Sequence, residues 1–207
     1  MYGGRISILV GGAVGGISTL LGLAIGLVSG YYRKVDAVIM RFMDGLMAFP
    51  SLILALALIA VLGASVQNVI IVITIVSVPL VARVVRASVL SLREQQFIDA
   101  AKALGVPDWR ILMLHIAPNT LAVLMVQGTF VFALAVIAEA NLSFLGAGVP
   151  PTTPSWGNIM GQGRTYLPLA FWITFFPGVF LSLTVLAINL LGDGLRDALD
   201  PKLRRRA

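Results

Sequence analysis

The stretch Phe97-Ile-Asp-Ala-Ala-Lys-Ala-Leu-Gly105, which continues through Pro107 to His115-Ile-Ala-Pro118, is a polar island between two long apolar segments. A connection between two membrane-crossing helices needs only a few residues. Here the polar region extends over more than thirty residues, from Arg83 to Pro118, and its pattern is helical. We therefore expect a molecule outside the membrane to contact this region.

The composition around this island is that of a membrane protein. Of 207 residues, 58% are hydrophobic and 12% are charged, and the mean hydropathy is +0.97. A soluble domain cannot bury so much apolar surface. Zero cysteines and one histidine argue against disulfides, a cysteine nucleophile and a metal site. The sequence also contains no phosphate-binding loop and no paired catalytic carboxylates, so we predict no catalytic residue and no cofactor bound by this chain.

Five charge-free segments predict five membrane-crossing helices, because crossing the hydrocarbon core takes about 20 residues. The small and polar cluster Gly63–Asn68 divides the long apolar region Gly45–Ala82 into two antiparallel helices. The predicted fold is an all-α polytopic membrane protein with one transmembrane domain over residues 1–207. Its predicted segments are spans at 6–30, 46–62, 68–86, 119–138 and 167–191, a polar loop at 87–118, an outer loop at 139–166 and a tail at 193–207.

The distribution of lysine and arginine predicts the orientation. Five spans place thirteen basic residues on one side of the membrane and only Arg5 and Arg164 on the other. Cytoplasmic loops carry the excess of positive charge. We therefore predict that the polar loop and the carboxy terminus are cytoplasmic and that the amino terminus is outside. The basic charge is then a topological signal, and no nucleic-acid partner is predicted.

The polar island resembles the cytoplasmic signature of ABC importer permeases, whose core is Glu-Ala-Ala-x-x-x-Gly. The match is Asp99-Ala-Ala-x-x-x-Gly105 followed by His115-Ile-Ala-Pro118, with Asp99 in place of the usual glutamate. The resemblance implies that the loop docks into a groove of an ATPase subunit. The residues that it assigns to this coupling role are Asp99, Ala100, Ala101, Gly105, Val106, Asp108, His115 and Pro118.

The local structure of the island can be predicted from its residues. We expect a helix over Arg86–Leu104, a stop and turn at Gly105-Val106-Pro107, and a second helix over Trp109–Leu114 that Asp108 caps. The small side chains of Ala100 and Ala101 leave room for a partner surface. A second histidine or a cysteine is absent, so we expect His115 to have a structural role, capping or hydrogen-bonding near the fourth span.

Three further stretches resemble permeases of the dipeptide, oligopeptide and nickel importer group, and point to the C-type permease. They are Ala48-Phe49-Pro50-Ser51, the run from Glu139 to Gly157, and the run from Asn189 to Pro201. The family has six spans, and we expect this chain to lack the first of them. The resemblance implies a location in the inner membrane of a prokaryote. It also implies a second permease subunit, in a heterodimer, two ATPase subunits that use ATP and Mg²⁺, and an extracytoplasmic binding protein.

Four residues on the predicted outer side are candidates for a gate or for contacts with a binding protein: Glu139, Phe144, Trp156 and Arg164. Glu139 is an acid next to a membrane-embedded position, and such residues are functional candidates. It can equally order the outer loop through hydrogen bonds. Trp156 can contact the binding protein or anchor the chain at the membrane interface.

The first span carries small residues at four-residue spacing, which allow close helix packing in lipid. They are Gly12, Gly16, Gly22, Gly26 and Gly30. The sequence leaves open whether they pack inside this chain or against a second permease.

The function that the resemblance implies is alternating access, in which ATPase closure pushes on the segment from Asp99 to Pro118 and opens a path for peptides or similar small solutes. The alternative is a self-contained secondary carrier or channel. Such proteins often carry buried charges in their spans or repeated halves, and neither feature is evident in this sequence.

Overall fold

The computed structural model describes residues 2–199, and in that range it contains helices and no strand. Four long helices dominate, and shorter ones connect them. The α-helices are α1 Tyr2–Tyr31, α2 Arg33–Met47, α3 Ser51–Leu62, α4 Val66–Arg93, α5 Gln96–Ala103, α6 Asp108–Ile111, α7 Ala117–Phe144, α8 Trp156–Gly163 and α9 Trp172–Leu199. A π-helical turn, Leu112–Ile116, joins α6 to α7, and a 3₁₀ turn, Arg164–Tyr166, follows α8. The predicted all-α class is confirmed.

The long helices α1, α4, α7 and α9 are each long and apolar enough to cross a membrane. The pair α2 and α3, which is bent by 89°, adds a fifth crossing if the pair counts as one span. If α2 and α3 are counted as one span, the structure has the five spans that the sequence predicts. Several predicted boundaries are wrong.

The second span differs most from its predicted range of 46–62. The helix in the structure is α3, which has 12 residues and is therefore about 18 Å long, against about 30 Å for the hydrocarbon core. Residues 46 and 47 belong to α2 instead. The cause is Pro50, which lacks an N–H group and disfavours a helical conformation at Phe49. The chain turns there and the helix restarts at Ser51.

The predicted helix over Arg86–Leu104 is also wrong, because it is broken into α4 and α5. Gln95 has an extended backbone, with φ −87° and ψ 145°. No glycine or proline marks this break. The turn brings the Ile98 side chain into the core, where it is fully buried. Burial of this one apolar side chain therefore overrides the local helical pattern.

The boundaries beyond α7 need two corrections. The predicted outer loop at 139–166 holds the end of α7 and all of α8. The last helix begins at Trp172 rather than 167, and it continues past Asp193 into the predicted tail. Residues 200–207 of that tail lie outside the described part of the chain.

The core forms where α1 packs against α4 and α7. Three glycines of α1 face three valines of α4 at matching four-residue intervals: Gly22, Gly26 and Gly30 against Val81, Val85 and Val89. A Cβ atom on Gly26 would lie 2.6 Å from the Cβ of Val85 and 2.8 Å from the carbonyl oxygen of Ala82. The close packing of these glycines is therefore intramolecular. Gly16 is different, because a Cβ there would have no described atom within 4 Å.

Replacing Gly26 by leucine is expected to destabilise the protein strongly. The new side chain would meet the α4 backbone, which cannot move aside as a flexible side chain can. We therefore expect the free energy of unfolding to fall by about 3 kcal/mol or more. The measurement is the thermal unfolding midpoint of the purified protein. Gly16→Leu is the matched control on the same helix and should leave the midpoint nearly unchanged. Equal midpoints for the two variants would contradict this packing.

Candidate functional site

The polar segment, which we define as residues 94–116, is anchored to the helix bundle by isoleucines. Ile98 of α5 and Ile111 of α6 are both fully buried. In contrast, the side chains of Leu104 and Trp109 are 83% and 61% exposed. Two buried isoleucines thus fix the polar segment to the bundle, and its large exposed apolar side chains face away from the bundle. Such a surface is typical of a protein contact.

Gly105 provides the turn between the two short helices of the polar segment. Its φ is +74°, in the left-handed region that favours glycine. The N–H of Val106 donates to the carbonyl oxygen of Ala101 at 3.1 Å, which closes the end of α5. A Cβ on Gly105 would meet no described atom within 4 Å. The predicted turn is present, and the surface above it is open.

Contrary to the sequence prediction, Asp108 does not cap the second short helix but connects the polar segment to α1. The helix begins after Pro107 without a side-chain cap. Instead, Asp108 Oδ1 accepts a hydrogen bond of 2.6 Å from the Tyr31 hydroxyl, at the end of α1. Arg93 also donates to this end, to the carbonyl oxygens of Gly30 and Tyr31 at 3.1 and 3.2 Å. The polar segment and the end of α4 therefore both hold the last turn of α1.

Two of the three predicted contact residues in α5 face outward. Asp99 and Ala100 are exposed. Asp99 pairs with Lys102 at 3.3 Å, an exposed ion pair that adds little stability. Ala101, however, is buried against the bundle with 8% exposure, so the expectation that it leaves room for a partner is wrong.

The remaining predicted coupling residues lie closer to α7. Val106 is half-buried and packs against the core. His115 lies in the π-helical turn, and its carbonyl oxygen accepts a 2.6 Å hydrogen bond from the Asn119 amide. The local role of His115 in hydrogen bonding thus belongs to its backbone. Pro118 is in the first turn of α7, directly after the π-helical turn.

Two ion pairs hold helix α2 against the second half of α4. The guanidinium of Arg86 binds both carboxylate oxygens of Asp36, at 2.5 and 2.6 Å. These hydrogen bonds hold the pKa of Asp36 below its usual value. Arg83 pairs with Asp44 at 2.7 Å in a more exposed position. Both pairs lie at the same end of the bundle as the polar segment, and we call this the basic end.

At the opposite end, Glu139 is fully buried and joins three parts of the chain. Its two carboxylate oxygens accept hydrogen bonds of 2.7 Å from the hydroxyls of Ser7 and Ser143. Each serine oxygen in turn accepts from a backbone N–H. The donor to Ser143 is Val149 at 3.1 Å, and the donor to Ser7 is Trp156 at 3.4 Å. This geometry supports the ordering role of Glu139, while its gate role stays a prediction.

Trp156 is buried, with 8% exposure, so neither of its predicted surface roles fits. Its ring packs on α1, where a Cβ on Gly4 would lie 2.6 Å from the indole. The connection before α8 is tightly ordered, since the Asn158 amide nitrogen lies 2.9–3.1 Å from the carbonyl oxygens of Val149, Pro150 and Thr153. The ordered connection packs on the bundle and buries Trp156.

The other two outer candidates, Phe144 and Arg164, lie together. The guanidinium of Arg164 is 5.8 Å from the centre of the Phe144 ring, within the range of a cation–π contact. Arg164 is exposed and Phe144 is half-buried. Of the four outer candidates, Arg164 is therefore the exposed one, and its contact with a binding protein stays a prediction.

A largely apolar cavity of about 510 Å³ opens between α3, α4 and α7. Phe49, Ala55 and Leu134 contribute to its walls, and the polar residues that line it are Ser51, Ser77 and Asn141. In residues 2–199, no group of three or more His, Asp or Glu side chains lies close enough together to hold a metal ion. The cavity is thus suited to contact a solute or another helix.

Comparisons with known proteins agree on one family. Residues 18–205 match the model described as binding-protein-dependent transport system inner membrane component. The chain is 50% identical to a peptide transport system permease protein of Brucella suis, over 99% of this chain and 69% of the relative. It is 46% identical to a dipeptide transport system permease protein of Alkalihalophilus pseudofirmus, over 99% and 67%. Its fold is similar to that in a structure of the MetNI methionine ABC transporter in inward facing conformations, with a TM-score of 0.78 at 20% identity, over 96% of this chain and 94% of that chain.

Proposed function

Because the chain belongs to the family of binding-protein-dependent transport system inner membrane components, it is a permease subunit of an importer, and we propose that partner ATPases drive it through its polar segment. Membership of the family implies ATPase and substrate-binding partners. The observation that carries the proposal is the shape of the polar segment: Ile98 and Ile111 fix it to the bundle, while Leu104 and Trp109 are exposed. An exposed apolar surface on a rigid base suits a contact that must transmit force.

The proposed route into the membrane runs from the polar segment to α1 and α4. Asp108 is bonded to Tyr31 at the end of α1, and Arg93 of α4 is bonded to the same turn. A displacement of the polar segment therefore acts on α1 directly. Helix α1 in turn packs closely on α4 through its glycines. Movement of the two helices together would change access to the cavity beside α4.

Replacing Tyr31 by phenylalanine should weaken this link without disturbing the fold. The hydroxyl donates to a charged acceptor at a partly solvated position, so we expect the contact between the polar segment and α1 to weaken by about 1 kcal/mol. Because this free energy corresponds to a factor of about five, we expect roughly fivefold lower transport per ATP hydrolysed. The measurement compares uptake and ATP hydrolysis in reconstituted vesicles. Tyr32→Phe is the matched control, since no hydrogen bond from the Tyr32 hydroxyl occurs within residues 2–199. Unchanged transport per ATP in Tyr31→Phe would exclude this route.

The proposed cargo is a peptide, since two relatives that cover almost the whole chain are named for peptide and dipeptide transport. We assign the basic end to the cytoplasm from its charge. A second, related permease would complete the path beside the cavity, and two ATPases would bind ATP and Mg²⁺ and hydrolyse the ATP. The substrate-binding protein would dock at the opposite end, where Arg164 is exposed.

Reconstitution of the assembled complex tests the function. With the binding protein present, peptides that it binds should stimulate ATP hydrolysis and enter the vesicles only when ATP is supplied. The chain without its ATPases should catalyse neither hydrolysis nor uptake. Uptake by this chain alone, driven by an ion gradient, would instead indicate a self-contained carrier.

A further inference from the structure

The outward face of α2 combines apolar and basic side chains, and we propose that it binds anionic lipid at the surface of the membrane. This inference requires only that the chain spans a membrane. It therefore stands independently of the proposed coupling to ATPases. Three observations carry it: the direction of α2, the pattern of its exposed face, and the balance of its charges.

The direction of α2 is close to the membrane plane. Helices α3 and α4 are joined by a short turn, and the Asn68 amide bonds the carbonyl oxygens of Leu62 and Gly63 at 2.8 and 2.9 Å, which closes that turn. The two helices pack side by side, and α4 is long enough to cross the membrane. Because α2 meets α3 at 89°, it lies nearly perpendicular to the crossing direction.

The exposed face of α2 has the pattern of an interfacial helix. Val38 and Phe42 are 72% and 65% exposed, and their spacing of four residues places them on one side of the helix. Lys34 and Arg41 are also exposed and, seven residues apart, share the adjoining side. Apolar side chains beside long basic ones allow a helix to lie at the boundary between acyl chains and headgroups.

The charges of α2 leave its outward face positive. Its two acids are already paired with arginines of α4, Asp36 with Arg86 and Asp44 with Arg83. Its three basic residues form no salt bridge within residues 2–199: Arg33, Lys34 and Arg41. Cations next to the membrane surface attract the phosphate groups of anionic lipids. Charge complementarity therefore favours an anionic lipid over a neutral one.

A fluorescent label on α2 tests the proposal directly. The sequence contains no cysteine, so Val38→Cys can carry the only label in this chain. The full chain, purified with its accompanying subunits in cysteine-free form, is placed in nanodiscs with equal amounts of phosphatidylglycerol and phosphatidylcholine, in which only one of the two lipids is brominated. We expect both lipids to quench the label and phosphatidylglycerol to quench it more strongly. The double variant Lys34→Gln/Arg41→Gln should lower that preference by roughly thirtyfold.

Two positions serve as controls. A label at Met43, which is buried against the bundle, should be quenched by neither lipid. A label at Leu186, which is 54% exposed on α9, should be quenched equally by both. Absence of quenching at position 38 would mean that protein or water covers this face, and it would overturn the proposal. Equal quenching by both lipids at position 38 would also overturn it, because the basic residues would then select nothing.

Discussion

Replacing Gly105 by arginine is expected to abolish ATP-driven uptake while the protein still inserts and folds. The left-handed backbone at this position, with φ +74°, costs a side chain about 1–2 kcal/mol. More important, the arginine would project into the open space above the polar segment. If an ATPase occupies that space, its affinity should fall by about 2 kcal/mol or more, which is roughly thirtyfold. The measurement is peptide-stimulated ATP hydrolysis in reconstituted vesicles.

Gly146 offers a control with the same kind of helix-ending turn at the opposite end of the bundle. Its φ is +81°, the N–H of Ala147 donates to the carbonyl oxygen of Leu142 at 2.9 Å, and a Cβ on Gly146 also has no described neighbour within 4 Å. Gly146→Arg should therefore keep coupled transport. Gly105→Asn should keep most of it too, since asparagine tolerates the left-handed conformation and is small. Full activity in Gly105→Arg, or equal losses in Gly105→Arg and Gly146→Arg, would contradict docking at this surface.

Replacing Glu139 by leucine should produce the largest loss of stability. The hydroxyls of Ser7 and Ser143 would both lose their acceptor in a fully buried place, at a cost of about 1–3 kcal/mol each. Disorder should follow in the connection from 145 to 155, because Val149 depends on Ser143. Thermal unfolding and hydrogen exchange of that connection are the measurements.

Two control variants separate the loss of the Glu139 hydrogen bonds from the loss of a negative charge. Glu139→Gln retains one acceptor oxygen and should lie between the natural protein and the leucine variant in stability. Glu94, the other glutamate of the chain, is exposed, so Glu94→Leu should have little effect. An unfolding midpoint for Glu139→Leu equal to that of the natural protein would show that the hydrogen bonds contribute nothing.

The number of long helices could be predicted from the sequence because charge-free length is a local property. The bend at Pro50 had a local signal as well, since proline restricts both itself and its predecessor. The break after Arg93 had none. It depends on the burial of Ile98, which only the packed bundle determines.

In the candidate site, too, some features have a local signal in the sequence and others depend on the packed bundle. The turn at Gly105 follows from the sequence because the glycine stands where a short helix must end. The bond between Tyr31 and Asp108 joins residues 77 positions apart, and that between Ser7 and Glu139 joins residues 132 apart. No spacing rule within one helix or turn relates such pairs. A single sequence therefore suggests Asp108 as a helix cap, whereas the assembled fold gives it a partner in α1.

Crosslinking from the polar segment tests whether an ATPase docks on its exposed surface. A photoreactive amino acid at Leu104, whose side chain is 83% exposed, should crosslink to an ATPase subunit when the complex is assembled in membranes. The matched position is Val61, which is 85% exposed near the turn at the opposite end of the bundle. We expect an ATPase adduct from position 104 and none from position 61. No adduct from position 104, or equal yields from the two positions, would contradict this docking.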